Sequence, residues 1–125
     1  MDNQMKRGLL DVCVLAAIRN EESYGYQIIK DVKPFISISE STLYPILRRL
    51  EDSGMMNEHS VEHNGRLRKY YHITKPGIRR LEEFTEEWKE IMAIYEFVNG
   101  RMARAAIDER VQERIPGKEE NYEQV

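Results

Sequence analysis

Ser39, Ser41, Thr42, Tyr44 and Arg48 fall within ten residues of one another, in the segment SISESTLYPILRRLEDSGMM that runs from Ser37 to Met56. Hydroxyls and phenols donate hydrogen bonds to phosphate oxygens. A guanidinium offers paired N–H donors to a phosphate or to the O6/N7 edge of guanine. A second basic group, Arg66, Arg68 and Lys69, follows the dipeptide Asn64-Gly65. Either group alone reads as ordinary solvated charge. Together they suit a nucleic-acid duplex, with Arg48 directed at a base edge and the second group at the flanking backbone. No nucleophile, base and orienting group recur in a usable pattern, and no glycine-rich phosphate loop is present. An enzyme is therefore not expected, and no cofactor is implied.

These side chains need elements to present them. At 100° per residue, Leu43, Ile46, Leu47 and Leu50 share one face of a helix. Ser41, Pro45, Arg48 and Asp52 point the opposite way, with Tyr44 and Arg49 on the flanks. Ser39 or Ser41 supplies the N-cap oxygen, Pro45 lies close to the first turn or kinks the helix, and Gly54 is the stop. Two helices precede it. The first runs from about Gln4 to Arg19, with Met5, Leu9, Val12, Cys13, Leu15, Ala16 and Ile18 buried on more than one face. The second is the short YGYQIIKDV, capped by Ser23 and ended by Pro34. Its Gly25 costs helix propensity, so a close neighbour needs the missing side chain there.

Asn64-Gly65 is a strong hairpin signal, because both residues tolerate positive φ. Leu67, Lys69, Tyr71 and Ile73 alternate with Arg68, Tyr70, His72 and Thr74, so a two-stranded ribbon rests on the helices. After Thr74-Lys75-Pro76-Gly77 breaks the strand, a long helix places Leu81, Phe84, Trp88, Ile91 or Met92, Tyr95 and Val98 at the spacing of a coiled-coil seam. Asn99-Gly100 stops it. Arg101 to Ile115 forms a further helical piece, and residues 116–125 form a frayed acidic tail. The order helix, helix, helix, hairpin, long helix describes a mainly α winged helix-turn-helix with a small β-hairpin. The expected division is a DNA-binding domain over 1–76, a dimerisation helix and extension over 77–115, and the tail over 116–125.

The bulk numbers agree. The 125 residues suit one domain, and 41% hydrophobic residues suffice for a core. Net charge is −3, which argues against indiscriminate polyanion binding. The balance is uneven: residues 1–80 carry +3 and residues 81–125 carry −6. The single cysteine, Cys13, rules out an intrachain disulfide. With no signal peptide and an apolar run at Leu9–Ile18 too short for a bilayer, a cytoplasmic location is expected. Cys13 reads as a buried inert thiol. His59, His63 and His72 match no zinc-ligand spacing and read as incidental, so no metal is expected.

The motifs YGYQIIKDV (24–32), SISESTLYPILRRLEDSGMM (37–56) and GRLRKYYHIT (65–74), followed by Gly77, resemble those of the PadR family of bacterial transcription regulators in order and spacing. The resemblance covers about residues 5–98. It points to the smaller branch with a single C-terminal helix. It implies a homodimer, with the third helix in the major groove of double-stranded DNA, the wing on the flank and the last helix against the partner protomer. Ser41, Thr42, Tyr44 and Arg48 would then be groove or phosphate contacts, and Arg66, Arg68 and Lys69 wing contacts. Some members of the family sense aromatic or drug-like compounds, and one branch stacks planar molecules on a tryptophan of the last helix. Trp88 falls where that residue would, with Glu86, Glu87 and Glu90 nearby to attract cations. The plain alternative is that Trp88 packs the interface.

The last helix supports a dimer on physical grounds as well. Leaving several large apolar side chains in water costs several kcal/mol at about 25 cal/mol per Å2. The expected protein is a homodimeric repressor of a pseudo-palindromic operator. Its half-sites lie one helical turn apart, about 34 Å on straight DNA. The rival is a winged-helix interaction module whose acidic long helix docks a protein and which has no role at DNA.

Overall fold

The structure, a computed structural model of the chain, describes residues 1–101. The element order is α1 (Asn3–Ala17), α2 (Gly25–Val32), α3 (Glu40–Asp52), β1 (Met56–His63), β2 (Arg66–Ile73) and α4 (Lys75–Val98). These are the helices and the antiparallel hairpin of a winged helix-turn-helix, with a long C-terminal helix. The chain divides into two compact units, Met1–Thr85 and Glu86–Val125. The expected helical piece from Arg101 to Ile115 and the tail over 116–125 lie, beyond Arg101, outside the described residues.

In the first unit, one core joins all the elements. It is built from Val14, Leu15 and Ile18 of the α1 region, Ile28 and Val32 of α2, the four leucine-face residues of α3, Met56, Tyr71 and Leu81. α1 starts on Asp2, whose carboxylate accepts from the Gln4 amide at 3.2 Å. It buries Leu10, Val12, Val14 and Leu15. Met5 and Ala16, expected inside, are exposed. An amphipathic stripe is narrower than the dense apolar content of this helix suggests.

Ser23 does not cap α2. The N-cap residue is Tyr24, in extended conformation. Ser23 instead forms a bridge with Tyr71, its amide donating to the Tyr71 carbonyl at 3.0 Å and its carbonyl accepting from the Tyr71 amide at 2.7 Å. The backbone thus uses this residue as a third, one-residue strand beside β2, and the Ser23 hydroxyl is buried without a hydrogen-bond partner.

α3 ends as its sequence dictates. Gly54 takes φ +75°, its amide donates to the Glu51 carbonyl at 2.9 Å, and the Met55 amide donates to the Leu50 carbonyl at 2.9 Å. These two bonds are the Schellman pattern, which needs a left-handed residue at that position. The chain then enters the hairpin, whose register pairs Met56 with Ile73 and His63 with Arg66. Asn64 and Gly65 both take positive φ, 51° and 79°, as a two-residue type I′ turn requires.

α4 begins earlier than Ile78, where sequence alone would start it. Thr74 is the reason. Its hydroxyl donates to the Gly54 carbonyl at 2.6 Å and accepts from the Gly77 amide at 3.3 Å. The cap pulls Lys75, Pro76 and Gly77 into the first turn, where proline has no intrahelical hydrogen bond to lose. Gly77 lies so close to the start of β1 that a β-carbon there would overlap the Met55 carbonyl oxygen and stand 2.6 Å from Ile73 Cγ1. Among the described residues, no helix is long and apolar enough to cross a membrane.

Candidate nucleic-acid interface

α3 presents two opposed faces. Leu43, Ile46, Leu47 and Leu50 are buried. Ser39, Ser41, Thr42, Tyr44, Pro45 and Arg48 are exposed. Tyr44 keeps 49% of its surface accessible, so the side predicted to face a ligand is open. At the helix start, the Ser39 hydroxyl lies 3.0 Å from that of Ser41 and 3.1 Å from that of Thr42. Ser39 is the N-cap residue by position, yet its hydroxyl makes no capping bond to the backbone. The Thr42 amide donates to the Ser39 carbonyl at 3.1 Å, which leaves the Glu40 and Ser41 amides beside this hydroxyl cluster, at the end of the helix where the dipole favours an anion.

Arg48 and Arg49 have different fates. Arg48 is exposed and, among the described residues, makes no ion pair. Arg49 is half-buried and forms an ion pair with Asp11 of α1. The second arginine thus ties α3 to the first helix, and the first is left for a ligand.

The wing divides its cations in the same way. Arg66, beside the turn, is exposed and makes no ion pair among the described residues. Arg68 lays its guanidinium over the ring of Tyr24, 4.0 Å from the centroid, and approaches the Tyr70 hydroxyl at 3.4 Å. Lys69 sits 3.6 Å from the Glu58 carboxylate on the neighbouring strand. Burial raises the Glu51 carboxyl above its ordinary range, and its hydrogen bond to Glu58 and the charge of that residue raise it further. The aromatic stack that holds Arg68 was not legible in sequence, because Tyr24 and Arg68 are far apart in the chain.

Of the α3 group, Tyr44 alone joins the wing cations at one open groove of about 770 Å3, and Ser39, Ser41, Thr42 and Arg48 lie outside its lining. The groove is lined by Tyr24, Gly25 and Tyr26 of the α2 start, Tyr44 of α3 and the wing residues Arg66, Leu67, Arg68 and Lys69. A β-carbon on Gly25 would crowd the Tyr44 hydroxyl, so the glycine expected to accommodate a neighbour does so for Tyr44. Leu67 is exposed at the groove.

The residues of the expected dimer seam fall into two sets. Leu81 is buried in the core of the first unit, and Phe84 packs against that core. Trp88, Ile91, Met92, Tyr95 and Val98, in the second unit, are all exposed large hydrophobics, as are Ile94 and Phe97. Lys89 pairs with Glu86 at 3.0 Å along the same stretch of helix. Cys13 is half-buried, and burial raises its thiol pKa, which leaves little thiolate at neutral pH.

Comparison with known proteins follows the same lines. Residues 14–83 match the model of the transcriptional regulator PadR-like family. A Streptococcus mutans UA159 protein of known structure is 42% identical, with 78% of this chain and 93% of that one aligned and a TM-score of 0.68. A PadR-like transcriptional regulator from Bacillus cereus is 33% identical over 77% of this chain and 96% of its own, with a TM-score of 0.67. Bacillus subtilis PadR, solved in complex with operator DNA, is 27% identical over 62% of this chain and 46% of its own, with a TM-score of 0.59.

Proposed function

This chain belongs to the PadR-like family of transcriptional regulators, and on that footing we propose that it is a homodimeric, sequence-specific DNA-binding repressor. The groove that joins Tyr44 to Arg66, Arg68 and Lys69 supports this most strongly. A helix with its leucine face buried and its hydroxyl-and-guanidinium face open is a probe shaped for a major groove. The likeness to a regulator solved with operator DNA points the same way.

The roles follow from the chemistry of each side chain. Ser39, Ser41 and Thr42, with the Glu40 and Ser41 amides at the start of α3, take phosphate oxygens and set the register. Tyr44 packs along the backbone at the groove mouth. Arg48 reads a guanine edge. Arg66 at the wing tip neutralises a flanking phosphate. Arg68 and Lys69, already held by Tyr24 and Glu58, give the wing a fixed charge pattern rather than mobile cations.

Residues 1–76 act as the DNA-binding domain and 77–115 as the dimerisation segment. Trp88, Ile91, Met92, Tyr95 and Val98 form the seam with a second protomer, because so many exposed apolar side chains on one helical stretch need cover. The dimer places two α3 helices on a pseudo-palindrome. An aromatic or drug-like effector stacks on Trp88 and releases the operator by favouring a different angle between protomers. The protein acts in the cytoplasm, where its operator lies.

Footprinting the purified protein across genomic fragments tests this. The expected result is protected sites with two half-sites about one helical turn apart. Uniform, sequence-independent protection would instead leave a winged-helix interaction module.

A further inference from the structure

On the side of the wing turned away from the core, three potential metal ligands from three separate segments come together. The bridge between Ser23 and Tyr71 sets Glu22 beside His72. On the neighbouring strand His59 pairs with Tyr70, so it shares a face with His72. His59 Nε2 lies 3.1 Å from the Glu22 carboxylate, and the His59 and His72 rings are 6.0 Å apart. The ligand atoms of all three residues lie within 4.8 Å of one another. Sequence spacing hides this set, because the two histidines stand 13 positions apart across a hairpin turn and Glu22 precedes them both by a further helix–turn–helix.

We propose that Glu22, His59 and His72 form a binding site for a divalent transition-metal ion of the zinc class. Two imidazole nitrogens and one carboxylate are the donor set of open zinc sites, with water completing the tetrahedron. With no thiolate, the set suits zinc, nickel or copper(II) rather than softer ions. Ligand atoms bound to zinc at about 2.0–2.1 Å lie about 3.4 Å from one another in a tetrahedron. The His59–Glu22 pair is already near that separation. His72 is exposed, so rotation of its side chain closes the remaining gap without moving the core.

The site reaches the DNA-facing surface through a short stack. His59 lies face to face with Tyr70 at 6.1 Å. Tyr70 meets Tyr24 edge-on at 5.6 Å, and Arg68 covers Tyr24. An ion held by Glu22, His59 and His72 staples the segment before α2 to both wing strands. It thereby fixes the aromatic layer under Arg68. A simple His59–Glu22 ion pair would not require His72, and this distinction makes the proposal testable.

Zinc is titrated into the full-length protein in competition with a chromophoric chelator, with thermal melting as the second readout. The expected result is one equivalent of zinc per chain and a melting temperature that rises with zinc. His59→Gln, His72→Gln and Glu22→Gln each weaken uptake about tenfold or more and abolish the thermal shift. His63→Gln, at the far end of the wing, leaves both unchanged. All three ligands are exposed, so metal-free melting of the variants should match the parent and show that they fold. Absence of stoichiometric uptake, or uptake by His72→Gln equal to that of the parent, overturns the proposal. Neither outcome depends on DNA binding.

Discussion

A β-carbon on Gly25 would stand 3.0 Å from the hydroxyl oxygen of Tyr44 and 3.5 Å from its Cζ. The first residue of α2 thus makes room for a phenol of α3 that lines the groove. Alanine is the better helix former by roughly 0.5–1 kcal/mol, and Tyr44 is exposed enough to swing away. Gly25→Ala should therefore leave the unfolding free energy from urea titration within about 1 kcal/mol of the parent while weakening operator retardation. Equal retardation by the two proteins would show that the position of Tyr44 does not matter.

Arg48 and Arg66 are both exposed cations without an ion pair among the described residues, yet they should fail differently. Arg48→Ala is expected to cost about 1–3 kcal/mol and to relax preference at one base pair of each half-site. Arg66→Ala should weaken all sequences alike and lower the salt slope by about 1. Retardation at several salt concentrations, on the operator and on single-base variants, separates the two.

Gly77 marks the place where α4 meets the start of β1. The Met55 carbonyl oxygen that a new β-carbon would strike belongs to the backbone, which cannot rotate aside. The Thr74 amide also donates to that carbonyl, at 3.1 Å. Gly77→Ala should destabilise the fold by about 1–3 kcal/mol or more through overpacking, seen as a lower denaturation midpoint. An unchanged midpoint would contradict this packing.

The Tyr71 hydroxyl is pushed up to about 12, first by burial and then by the charges of Glu58 and Glu51. A tyrosine in the unfolded chain titrates near ~10. The folded state thus holds its proton more tightly. This contribution is complete below about pH 10 and fades as pH rises toward about 12. Compared with the parent, Tyr71→Phe should lose less stability over that window. Parallel stability curves for the two proteins would contradict the assignment.

Ile91 and Tyr95 lie a turn apart on α4, and both are exposed. Replacing both with glutamate should shift sedimentation at micromolar concentration from dimer to monomer and weaken operator binding with it. A doubly substituted protein that remains dimeric would place the seam elsewhere.

The most legible parts of this protein were those set by local periodicity. The leucine face of α3, the Schellman stop at Gly54 and the Asn64-Gly65 turn each depend on a few neighbouring residues, and each is read directly from residue type. The features that escaped are long-range pairings. Ser23 looked like a cap, but the Tyr71 backbone claims it. Arg49 resembled Arg48 until Asp11 of α1 took it. The long seam repeat was a single pattern in sequence, whereas the core absorbs Leu81 and Phe84. Arg68 was legible as a wing cation but not as the lid on Tyr24. In each case periodicity gives the face on which a side chain lies and cannot say which distant element fills the space beside it.

The central claim is that the open face of α3 reads sequence. The most direct measurement is the ratio of affinities for the footprinted operator and a scrambled duplex, for the parent and for a Ser41→Ala/Thr42→Ala/Arg48→Ala variant. The parent should prefer its operator by about 10³-fold or more. The variant should keep its fold and most of its non-specific affinity, yet lose nearly all of that preference. A variant that still discriminates as the parent does would contradict the claim.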